Sequence, residues 1–164
     1  MRANDWLYAI GDVTGRVLLT HMCKYQGRVA ADVILGKDAR ALHDDARSPR
    51  VIFTDPQVAA VGHTLEAARA AGIDARAVDV PTQVSAGASF YGRDDAPGTS
   101  RLVVDEGRGV LVGATFTGPE VAEWLHAATI AIVSEVPLAR LAHAVPSFPT
   151  RSEVWLYLLE EMGL

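Results

Sequence analysis

The sequence predicts an α+β fold from about residue 50 onward, an antiparallel sheet flanked by helices, preceded by a strand and a helix from an α/β layer. Three observations predict it. Short apolar runs after residue 50 alternate or pair around Gly-containing loops. Helical spacing of apolar residues recurs at 20–35, 120–134 and 152–162. A polar, small-residue stretch over 37–50 separates the two parts. The division is therefore 1–36, a linker over 37–50, and a domain over 51–164.

Trp6-Leu7-Tyr8-Ala9-Ile10 is continuously apolar and closes on Gly11-Asp12, the pattern of a buried parallel strand ending in a tight turn. Such a strand needs neighbours on both edges, and only five residues precede it. From Thr20 to Leu35, Met22, Cys23, Val29, Ala30, Val33 and Ile34 recur at helical spacing, with Thr20 as N-cap and Gly36 as the C-terminal stop. Strand, glycine turn and helix together have the order of the tail of a nucleotide-binding α/β layer. Residues 37–50, with Lys37, Asp38, Arg40, His43, Asp44, Asp45, Arg47, Ser48 and Pro49, read as linker.

Val51-Ile52-Phe53-Thr54 before Asp55-Pro56 predicts a strand and a turn, and Val58–Gly62 another short strand. Thr64 caps a helix that runs to Ala71 and stops at Gly72. Ala75–Val80 alternates as a strand does, and Pro81 ends it. Residues 83–99 read mainly as loop. Arg101–Val104 and Val110–Phe116 flank a Gly-containing loop and predict a hairpin. Glu120–Ser134 is a helix with Val121, Trp124, Leu125, Ala128, Ile132 and Val133 on one side. Pro137 opens a short helix to Ala142, and Ser152–Met162 is the last. The strands fall into two hairpin-like groups.

Composition excludes several classes. The 164 residues are 49% hydrophobic and 21% charged, which is globular rather than disordered. No apolar run approaches the roughly 20 residues of a membrane span, and no secretory apolar region follows the start, so the expected compartment is the cytoplasm. A net charge of −5 without a Lys/Arg cluster argues against nucleic acid as a partner. Cys23 is the lone cysteine, so neither an internal disulfide nor a thiolate metal site is available, and it reads as a core residue on an apolar helix face. His21, His43, His63 and His126 stand isolated and read as surface or packing residues, so no metal site is expected.

Three segments in order carry a family signature: Tyr8-Ala9-Ile10-Gly11-Asp12-Val13 with Leu18-Leu19-Thr20-His21, then Thr54-Asp55-Pro56-Gln57-Val58-Ala59-Ala60-Val61-Gly62, then Phe148-Pro149-Thr150-Arg151-Ser152-Glu153. Together they resemble the C-terminal third of the pyridine nucleotide-disulfide oxidoreductases, flavoproteins that include dihydrolipoamide dehydrogenase and mercuric reductase. The resemblance implies that residues 1–36 are the last strand and helix of a FAD domain and that 51–164 are the dimerisation domain of a homodimer. It implies that Asp12 hydrogen-bonds a ribityl hydroxyl of FAD, a strong acceptor for such a group. It also implies that Leu19 and Thr20, at the start of the helix, bring backbone N–H groups and the positive helix end to the flavin pyrimidine edge. A plainer role stays open for Asp12, a turn carboxylate capping its own backbone.

The sequence departs from the family at one catalytic position. The disulfide-reducing members carry His-Pro-Thr-x-Ser-Glu, in which the histidine moves the proton and the glutamate orients it. Here Pro149, Thr150, Ser152 and Glu153 match, but Phe148 stands at the histidine position and cannot carry a proton. His143 lies five residues earlier and does not align. The resemblance then implies an oxidoreductase passing hydride from NAD(P)H through FAD to an acceptor that needs no such base, such as a quinone, dye, metal or oxygen. A reductase that draws its proton from another group is the other option. Glu153 without a histidine would serve the backbone near the last helix, while the backbone of Phe148 and Pro149 could still reach the partner subunit's flavin.

Neither a Gly-x-Gly-x-x-Gly fingerprint nor a Cys-x4-Cys pair is present. The chain is therefore expected to be a piece of a larger flavoprotein, with no catalysis and little or no FAD binding by itself. A different class of function is a stand-alone module that binds another protein. The DNA just upstream of Met1 discriminates the two, as an in-frame flavoprotein or as a ribosome-binding site. In either case the apolar residues of 6–10 and of the 20–35 helix lack neighbours, so residues 1–45 are expected to be poorly ordered or to pack on a second copy.

Overall fold

The computed structural model describes Asn4 and residues 6–45, 47–90 and 97–164. The chain forms two compact units, Met1–Ser48 and Pro49–Leu164.

In the first unit a 3-10 turn, Gly11–Thr14, precedes helix α1, Thr20–Ile34. Met22, Gln26, Val29 and Ala30 form the buried stripe of α1. Two expectations change here. Residues 6–10 form no strand: only Tyr8 is in a β-bridge, and Trp6 is 76% exposed. A continuous apolar run becomes a buried strand only between partner strands, and no strand pairs with it among the described residues. Thr20 is not the N-cap. Leu19 takes that place in extended conformation, and Thr20 is the first helical residue. The C-terminal stop is at Gly36, whose backbone N–H bonds to the Val33 carbonyl at φ +79° while Lys37 bonds back to Asp32. The expected linker is tied down at two points, with Leu42 N–H donating to the Tyr25 hydroxyl and Asp44 held by Gln26 and Arg16. Cys23 is half-buried rather than core.

The second unit is built on one five-stranded antiparallel sheet flanked by helices, as expected. Its strands are β1 (Arg50–Ile52), β2 (Gln57–Gly62), β3 (Ala75–Pro81), β4 (Thr99–Asp105) and β5 (Val110–Gly118), in the order β1-β2-β5-β4-β3. The long β2–β5 ladder, Gln57↔Gly118 to Gly62↔Gly113, joins the two hairpin-like groups. A bulge in β5, between the pairs Val103↔Gly113 and Val104↔Leu111, lets Leu111, Ala114 and Phe116 all contribute to the main core.

Helices α4 (Leu125–Val133) and α6 (Val154–Glu161) pack against the sheet and share that core with it, with α5 (Leu138–Leu141) beside them. Phe116 is fully buried at its centre, its ring 6.2 Å from both Trp124 and Trp155. Burial of one such ring stabilises by about 2 kcal/mol, and each aromatic pair adds about 1 kcal/mol. Helix α2 (Leu65–Ala70) forms a smaller cluster, Ala68 with Ala75, Val103, Val110 and Val112. The neighbours Leu102 and Val104 belong to the main core, so the alternation of β4 divides the two clusters.

The expected helix 120–134 begins as a 3-10 turn, Val121–Glu123, before α4, and the last helix begins likewise with Arg151–Glu153 before α6. The expected loop 83–99 holds a short helix, α3 (Ala86–Ser89), and its residues 91–96 lie outside the described residues. No helix among the described residues is long and apolar enough to cross a membrane.

Candidate functional site

The motif residues fall in both units. In the first, Asp12 sits in the 3-10 turn with its side chain exposed. The turn closes on itself through Gly15 N–H to the Asp12 carbonyl at 2.9 Å and Thr14 Oγ1 to the Gly11 carbonyl at 2.8 Å. Those bonds use backbone acceptors, so the Asp12 carboxylate has no hydrogen-bond partner among the described residues. Local capping by that side chain, the plainer role, is not seen.

Helix α1 starts without a side-chain cap and without an acidic residue in its first turn. The first N–H groups of any helix have no intrahelical partner. Thr20 therefore offers a donor at the positive end of the dipole, where electron-rich groups are favoured by about 0.5 kcal/mol. A free carboxylate that can accept from a sugar hydroxyl, and an uncapped helix start, fit a flavin dinucleotide in donor set and charge.

In the second unit, Phe148 is 77% exposed and joined to Pro149 by a cis peptide bond. The residues after Pro149 are firmly held. Thr150 and Glu153 form a reciprocal capping box on the turn that leads into α6. The Glu153 carboxylate is buried, and one oxygen accepts from Thr150 N–H at 3.0 Å and from Gly87 N–H at 3.2 Å. Thr150 Oγ1 donates to the Ser147 carbonyl at 2.6 Å. Gly87 is required by a close approach, since a Cβ there would lie 2.1 Å from the Thr150 carbonyl carbon. The buried Arg151 donates to the Pro119 carbonyl at 3.1 Å and lies 6.0 Å from the Trp124 ring. Chemically the segment is a rigid backbone platform carrying an aromatic side chain, with no acid or base at position 148.

No group of three or more His, Cys, Asp or Glu side chains is placed to hold a metal among the described residues. His21 and His126 are exposed, and His43 and His63 are half-buried. Sequence reading missed Gly87, which meets the motif segment from behind, the anchoring bond that the motif's own Arg151 makes to Pro119, and Gln26, Asp44 and Arg16, which lie behind the Asp12 turn. Nothing in the spacing of these residues announces them.

Known proteins share both the sequence and the architecture. The family profile described as the pyridine nucleotide-disulphide oxidoreductase dimerisation domain matches residues 48–158. Dihydrolipoyl dehydrogenase of Mycobacterium leprae is 38% identical over 147 residues, covering 90% of this chain and 31% of that protein. The enzyme of the same name from Halobacterium salinarum is 36% identical over 154 residues, covering 94% and 32%. The chain thus spans about a third of the length of the curated relatives it matches. Among solved structures, the HOCl-induced flavoprotein disulfide reductase RclA from Escherichia coli superposes with a TM-score of 0.82 at 26% identity, covering 93% of this chain and 35% of that one. LpdA from Mycobacterium tuberculosis gives 0.84 at 24% identity, covering 94% and 33%, a likeness of fold.

Proposed function

This chain belongs to the pyridine nucleotide-disulphide oxidoreductases through their dimerisation domain, and on that premise we propose that it forms the homodimer of a FAD-dependent NAD(P)H oxidoreductase. The observation that carries the reading is the 147–153 segment, in which the family's Pro-Thr-x-Ser-Glu backbone is clamped by Glu153 while an exposed Phe148 replaces the proton-carrying histidine.

In this reading Phe148 and Pro149 are presented to the partner subunit's flavin. Asp12 accepts a hydrogen bond from the ribityl chain, and Leu19 and Thr20 stand at the N–H end of α1, facing the pyrimidine edge. The flavin, when bound, supplies hydride transfer from NAD(P)H. The chain's own residues omit a base at this position, because phenylalanine neither takes nor gives a proton. The acceptor is accordingly one that needs no protonated thiol, such as a quinone, a dye, a metal or oxygen, and not a disulfide. The cytoplasm is the compartment the proposal assumes, and nucleic acid and membrane are not among the partners it names.

Two measurements test it. Sedimentation of the chain is expected to give a dimer, and an NADPH–quinone assay with added FAD is expected to give no turnover by the chain alone. A monomer across the accessible concentration range overturns the dimer role. Turnover by the isolated chain overturns its assignment as the dimerising portion.

A further inference from the structure

A chain of short polar contacts in the first unit, buried at Gln26 and open to solvent at Arg16, runs through side chains that lie outside the family motif. Gln26 lies on α1 and is 0% exposed. Its Oε1 accepts from the Gly11 N–H at 2.6 Å, and its Nε2 donates to Asp44 Oδ1 at 2.6 Å. Asp44 Oδ2 accepts from Arg16 Nη1 at 2.7 Å, and only 3% of the Asp44 side chain is exposed. The neighbours fix the orientation of the amide. A donor faces one end of it and a carboxylate the other, so oxygen meets Gly11 and nitrogen meets Asp44.

We propose that Gln26 is a positioning residue for Asp12, seating the Gly11–Thr14 turn on α1 through a relay from the Gly11 amide to Gln26, Asp44 and Arg16. The proposal rests on the reading of Asp12 as a cofactor ligand. The internal bonds of the turn set its shape but not its place. Its place depends on Gly11, the residue directly before Asp12, which holds φ +73° and lies so close to α1 that a Cβ would come 2.9 Å from Cys23 Sγ. The only side chain bonded to that residue's amide among the described residues is Gln26. An apolar side chain at position 26 would leave a buried N–H and a largely buried carboxylate oxygen without their partner, so the turn would lift toward water.

The relay also predicts a rescue. Gln26→Glu removes the donor to Asp44 and sets two carboxylates against each other. Adding Asp44→Asn restores the pair in reverse, because the asparagine amide donates to the new carboxylate, whose other oxygen accepts from Gly11. The test compares Gln26→Leu, Gln26→Glu and the Gln26→Glu/Asp44→Asn double variant by amide exchange on this chain and by FAD dissociation from the flavoprotein that carries it. In both single variants the Gly11 amide is expected to exchange about tenfold faster, the scale of one buried hydrogen bond, while Val29 and Ala30 in mid-helix keep their protection. The FAD dissociation constant is expected to rise by a similar factor, and the double variant to recover both. Unchanged Gly11 exchange in Gln26→Leu, or no recovery in the double variant, overturns the relay. Exchange that responds as expected while FAD dissociation stays fixed overturns the cofactor role of Asp12 and leaves the relay standing.

Discussion

Asp79 and Arg101 face each other across the β3–β4 ladder and pair bidentately, Nε to Oδ1 at 2.6 Å and Nη2 to Oδ2 at 2.7 Å. The guanidinium's hydrogen bonds hold the Asp79 carboxyl below its ordinary range, against a smaller opposing effect of burial. A carboxyl depressed in the folded state stabilises above its unfolded value, about pH 3.9, and loses that contribution as the pH falls through the folded value. Both side chains are substantially exposed, so solvent screens the pair and Asp79→Asn is expected to cost only about 0.5 kcal/mol at neutral pH. Urea unfolding at about pH 7 and about pH 2 checks the sign, since the difference from the parent should shrink toward zero in acid. Glu153 is the larger case, because two backbone donors depend on one buried oxygen. Glu153→Ala is expected to cost about 2 kcal/mol and to speed amide exchange at Gly87 and Thr150, whereas Glu153→Gln, which keeps one acceptor, should cost less than about 1 kcal/mol. Equal costs for the two would mean that packing, not the acceptor, holds the segment. Asp12, Phe148 and Glu153 could be singled out in the sequence because the motif is contiguous around them. Gln26 and Asp44 could not, since eighteen residues separate them and a polar residue on an amphipathic helix looks the same whether it faces water or a buried partner.

Helix α2 shows how local chemistry makes an element readable. Thr64 precedes a run of helix formers, and its hydroxyl accepts from Ala67 N–H at 3.1 Å, satisfying a donor the six-residue helix cannot. Thr64→Ala is expected to lower stability by about 1 kcal/mol, with faster exchange at Ala67 as the local readout and Thr64→Ser restoring most of the loss. The elements that rest on such short-range signals, α2, β3 and the β4–β5 hairpin, lie within a few residues of where the sequence puts them. The misread elements depend on distant partners. Trp6–Ile10 carries the pattern of a buried strand, but pairing is a property of the neighbours and not of the run itself. The antiparallel sheet itself is as expected, but its strand order, with β2 meeting β5 more than fifty residues away, is something no local pattern specifies. The 37–50 stretch holds a related case: its polarity suggests solvent, while Asp44 uses that polarity to bind Gln26.

At the scale of the whole molecule the deciding feature is a helix that is apolar on both faces. Leu125, Ala128 and Ala131 of α4 enter the core, while Ile130 and Val133 on the same helix are 52% and 43% exposed. A helix apolar all round is normally covered on both sides. Val145 and Phe148 add further exposed apolar surface in the segment that leads to α6. Stable protein interfaces bury about 800 Å² per partner and draw their energy from a few apolar anchors at the centre. If the chain dimerises as its family assignment leads us to propose, the outer face of α4, with Ile130 and Val133 uncovered in the single chain, is one apolar surface for the partner to cover. Ile130→Asp with Val133→Asp should therefore weaken the dimer by about a hundredfold, read by sedimentation equilibrium. Because neither side chain is buried in the single subunit, the thermal midpoint measured at a concentration where both proteins are monomeric should be nearly unchanged. A dimer of undiminished affinity would remove α4 from the interface. A matching fall in the monomer's own stability would mean that these side chains support the fold instead.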